Sequence, residues 1–107
     1  MRVPFDQSTP VPIRRFLVGH SVRTAAQEQW GSLKNGDLLN AAQGAGFDVL
    51  LTTDKNIRYQ QNLAGRTIAV VAIGRPAWPI PEDHLARVVG AVNAATPGSY
   101  TEVDFPE

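Results

Sequence analysis

The chain predicts a single α/β domain with a mostly parallel central sheet and helices on both faces. Two runs, Val49-Leu50-Leu51 and Ile68-Ala69-Val70-Val71, are continuously apolar rather than alternating, which marks strands buried on both sides. Strand-like and helix-like segments alternate along the chain, as a parallel sheet with crossover helices requires. The 107 residues, 43% of them hydrophobic, suffice for one compact core. Residues 1–96 make the body of this domain, and residues 97–107 its tail or edge strand.

The elements follow in order. Arg2 to Asp6 predicts a short strand, weakened by Pro4. Gln7-Ser8-Thr9-Pro10 is a turn and helix start, with Ser8 or Thr9 as N-cap. Ile13, Phe16 and Leu17 fall at i, i+3, i+4 and give that helix one apolar face, closed by Gly19. Ser21 to Thr24 is a candidate second strand, and Ala25 to Trp30 one or two helical turns. A helix runs from about Asp37 to Gly44, with Leu38, Ala41, Ala42 and Ala45 inward. Phe47 to Thr53 and Thr67 to Ile73 are the two buried strands, and Asn56 to Ala64 is the helix between them. Gly74 to Pro81 is loop; Pro81 then opens a helix with Glu82 and Asp83 in its first turn, where acids suit the helix dipole. Leu85, Val88, Val89 and Val92 form its buried stripe. Tyr100 to Phe105 is an edge strand or a loose tail.

Composition excludes several classes of function. Ten basic and ten acidic side chains give zero formal charge, so binding of nucleic acid has to rest on a local basic patch. The absence of cysteine excludes disulfides, thiolate metal sites and cysteine nucleophiles. No apolar stretch approaches the roughly 20 residues that span a bilayer, and the N-terminus lacks a signal-peptide pattern, so the expected setting is cytoplasmic with no membrane partner.

Three aspartates are the candidate chemistry. Asp6 ends the first strand, Asp37 opens a helix, and Asp54 ends Val49-Leu50-Leu51-Thr52-Thr53. Carboxyl ends of parallel strands form the ligand crevice of such sheets. Carboxylates collected there repel one another unless a hard cation lies between them, so the set predicts a Mg²⁺ or Mn²⁺ site for phosphodiester chemistry. Each aspartate also has a plainer reading: an Asx turn for Asp6, a dipole-favoured position for Asp37, an N-cap for Asp54. Thr52 and Thr53 are candidates to orient Asp54 or a bound water. Thr53, Lys55, Asn56 and Arg58 are the candidate substrate-binding residues, since they stand at or just after Asp54. Arg14 and Arg15 read as a solvated surface, His20 as a turn residue, His84 as helix surface, and Trp30 and Trp78 as packing anchors, with Trp78 a candidate for a subunit interface. Ser8 has no nucleophile-elbow setting.

Gly19-His20-Ser21-Val22-Arg23-Thr24, then Lys34-Asn35-Gly36-Asp37-Leu38-Leu39 with Ala42, then Val49-Leu50-Leu51-Thr52-Thr53-Asp54-Lys55-Asn56, resemble in order and spacing the short PIN-like proteins. These are a bacterial group related to the PIN-domain ribonuclease toxins of toxin–antitoxin modules. The resemblance spans residues 1–75. It implies a Rossmann-like fold, an acidic pocket for Mg²⁺ or Mn²⁺ held by Asp6, Asp37 and Asp54, and water-mediated attack on RNA. The chain departs from the family where its first strand ends in Asp6-Gln7 rather than Asp-Glu, and where Asn56 stands in place of a second acid. The leading expectation is therefore a metal-dependent endoribonuclease, the toxin of a toxin–antitoxin pair, with RNA, a cognate antitoxin and a second copy of the chain as partners. The alternative is a catalytically degenerate PIN-like domain that binds RNA or protein. A phospho-receiver-like domain, the third class, is disfavoured by Gln7 and by the lack of any lysine after Lys55.

Overall fold

The computed structural model describes residues 1–33, 35–55, 57, 63, 65–74 and 80–104. Five strands form one sheet: β1 (Arg2–Phe5), β2 (Ser21–Thr24), β3 (Val49–Thr52), β4 (Ala69–Ala72) and β5 (Tyr100–Glu102). Their order is β2-β1-β3-β4-β5, and every neighbouring pair is parallel. Two helices are described, α1 (Asn35–Gly44) and α2 (Glu82–Asn93), with a 3-10 helix η1 (Val11–Phe16) before β2. The expected α/β sheet is thus observed, and the C-terminal strand belongs to it as an edge.

The period-2 geometry of the central strands decides where the helices go. Val49 and Leu51 of β3, with Ala69, Val71 and Ile73 along β4, face one side and pack with Ile13 and Leu17 beside η1 and with Leu85, Val88 and Val92 of α2. Leu50, Ile68 and Val70 face the other side and pack with Leu38, Leu39 and Ala42 of α1 and with Phe47, Ile57 and Leu63. All four residues of β3, and all four of β4, are buried. Strands covered on both faces carry apolar residues at every position, which is why they lack alternation.

Three local readings are corrected. The segment after Pro10 is a 3-10 helix, not an α-helix. Pro10 and Pro12 supply no backbone N–H at its start, and the six-residue piece closes through i to i−3 bonds such as Ile13 N to Pro10 O at 3.2 Å. Phe16 is not interior but 38% exposed. On α1 the inward residues are Leu38, Leu39 and Ala42; Ala45 lies past the helix end and is exposed. The expected helix over 56–64 falls largely outside the described residues, as do Trp78 and the end of the tail.

The amino edge of the sheet is clamped by polar contacts. The Asp48 carboxylate accepts from Arg2 N at 2.7 Å, and the Arg2 guanidinium donates to Ala45 O at 2.7 Å while stacking 4.3 Å from the Phe47 ring centre. Trp30 meets the same ring edge-on at 5.5 Å, so it is a packing anchor as expected. Gly98 sets the turn into β5 at φ +75°, with Arg66 O only 3.1 Å from where a Cβ would stand.

Leu50 is fully buried between β3 and α1. Leu50→Ala is expected to lower stability by about 2–5 kcal/mol in urea titration, with the transition remaining cooperative.

Candidate functional site

The strand order places a topological switch point between β1 and β3. The chain leaves β1 toward β2 on one side and returns from β2 to β3 on the other, and doubly wound sheets of this order open their ligand crevice there. Phe5 of β1 pairs with Leu51 of β3. Asp6 and Thr52-Thr53-Asp54 therefore emerge side by side at the carboxyl edge.

The Asp6 carboxylate is held by hydroxyl groups from both strands' exits. Its Oδ1 accepts from Thr9 Oγ1 at 2.6 Å, from Ser8 N at 3.2 Å and from Ser8 Oγ at 3.4 Å. Its Oδ2 accepts from Thr52 Oγ1. Thr52 Oγ1 in turn accepts from Asp54 N at 3.1 Å, so this one buried hydroxyl ties the two aspartates' strand ends together. Ser8 Oγ and Thr53 Oγ1 lie 2.6 Å apart, closing the ring from the other side. The single Thr9 hydroxyl hydrogen is shared with Leu51 O, which lies 2.9 Å from Oγ1. Thr9, Thr52 and Thr53 are all buried. A partly buried carboxylate surrounded by donors has its desolvation offset without any cation.

Asp54 is half-buried on the same edge. Asp37 sits exposed in the first turn of α1. Among the described residues, no group of three or more His, Cys, Asp or Glu is placed to hold a metal ion. The structure therefore joins Asp6 to the hydroxyls around Asp54 but does not gather Asp6, Asp37 and Asp54 into one metal-holding set. A three-carboxylate Mg²⁺ or Mn²⁺ site does not fit this arrangement.

Lys55 runs along the carboxyl edge away from Asp6. Its ammonium pairs with the Asp104 carboxylate beyond β5, and its backbone O accepts from Tyr100 Oη at 3.1 Å. Its stem crosses Gly74, where a Cβ would lie 3.0 Å from Lys55 Cε. Lys55 and the adjacent Arg87 hold the Asp104 carboxyl below its usual 3.8; the Lys55 hydrogen bond is the largest cause. Of the remaining candidates, Thr53 is in the hydroxyl ring, while Asn56 and Arg58 lie outside the described residues. A small cavity of about 150 Å³ adjoins Asp6, lined by Gln7, Thr9, Val11 and Thr24 to Ala26.

Sequence reasoning missed Thr9 and Asp104. The doublets Ser8-Thr9, shortly after β1, and Thr52-Thr53, at the end of the adjacent β3, are the signal that marks the first. Asp104 is 49 residues from Lys55 and carries no local signal. No protein family, characterised protein or solved structure matches the chain.

Thr52→Val keeps the shape but removes the donor to Asp6 and the acceptor for Asp54 N. It is expected to cost about 1–3 kcal/mol in urea titration, and Thr52→Ser distinctly less.

Asp104 ionises more readily in the fold than in the unfolded chain. Its attraction to Lys55 is present above its usual 3.8 and is lost as pH falls through its lower folded value. Side-chain carboxyl NMR titration is expected to show an Asp104 pKa below 3.8, returning toward it in Lys55→Met. An unchanged value in that variant would remove the ion pair from the account.

Proposed function

We propose that the chain is a catalytically degenerate PIN-like α/β domain that works as a protein-binding module. The observation that carries this reading is the Asp6 carboxylate: both its oxygens are engaged by Ser8, Thr9 and Thr52, which makes the switch point a structural clasp. The amides Gln7 and Asn56, in place of acids, agree with it. Protein is favoured over RNA as the partner. Formal charge is zero, and Lys55, a phosphate-facing candidate on this edge, is already neutralised by Asp104. Apolar side chains, by contrast, stand open to solvent at Val11, Phe16 and Val18.

One specific observation favours a second reading, the Mg²⁺- or Mn²⁺-dependent endoribonuclease of a toxin–antitoxin pair. Asp6 and Asp54 leave adjacent parallel strands at the switch point, where such folds hold their ligands. Among the described residues the acids do not form the set that a cation-assisted step requires.

The two readings separate by experiment. The module reading expects no cleavage of single-stranded RNA with Mn²⁺, no rise in melting temperature on adding Mn²⁺, and loss of about 1–3 kcal/mol in Asp6→Asn, because an amide cannot accept from all its donors. Cleavage stopped by chelator and abolished in both Asp6→Asn and Asp54→Asn, with neither variant destabilised, would instead establish the nuclease.

A further inference from the structure

We draw no further inference here: the strongest candidate, the open apolar groove of about 290 Å³ between η1 and α2 lined by Phe16, Glu82, Leu85, Ala86 and Val89, carries nothing because no feature of the structure shows what covers it.

Discussion

The burial of β3 and β4 on both faces is the constraint from which the rest of the architecture follows. Two neighbouring strands with every side chain inside need a helical layer above and another below. A chain that supplies those layers through crossovers must alternate strand and helix and keep its strands parallel. With β1 beside β3 and β2 outside β1, the first crossover and the next lie on opposite sides of the sheet. The switch point between β1 and β3 is therefore a consequence of how the core is covered, and so is the arrival of Asp6 and Asp54 at one edge.

An acid delivered to the end of a buried strand has to be solvated by something. Two solutions exist in principle: a cation shared among several carboxylates, or hydrogen-bond donors supplied by the chain. This chain takes the second for Asp6. Its donors come from both sides of the switch point, Ser8 and Thr9 after β1 and Thr52 at the end of β3. The same hydroxyl of Thr52 accepts from the backbone of Asp54, so the exit of β3 is fixed relative to the exit of β1. Carboxylate repulsion, the premise for a metal, loses force when Asp6 is this well supplied with donors and the third acid, Asp37, lies exposed on its helix. An acid in the first turn of a helix needs no further reason than the dipole.

What the sequence made legible divides along the same line. Features that depend on local pattern were readable: the apolar runs of β3 and β4, the α2 stripe of Leu85, Val88 and Val92, and the strand ends bearing Asp6 and Asp54. Features that depend on a partner distant in the chain were not. Nothing near Lys55 announces Asp104, and nothing near Asp6 says which of the nearby hydroxyls turn toward it. The η1 segment departs from the α-helix its apolar spacing predicts. Its six residues close through i to i−3 bonds, the tighter helix that short pieces adopt. Phe16, its last residue, stands at the surface rather than in the core.

The exposure of Phe16 shifts attention from the edge of the sheet to its face. At the carboxyl edge the polar groups are mutually satisfied: Asp6 by hydroxyls, Lys55 by Asp104. Groups already paired offer a ligand little unless it breaks those pairs, and each buried donor left without an acceptor costs about 1–3 kcal/mol. At the η1–α2 face the balance is reversed. Apolar surface there remains in contact with water. Covering that face releases water from apolar atoms and breaks no existing hydrogen bond, so association gains free energy there more readily than at the crevice.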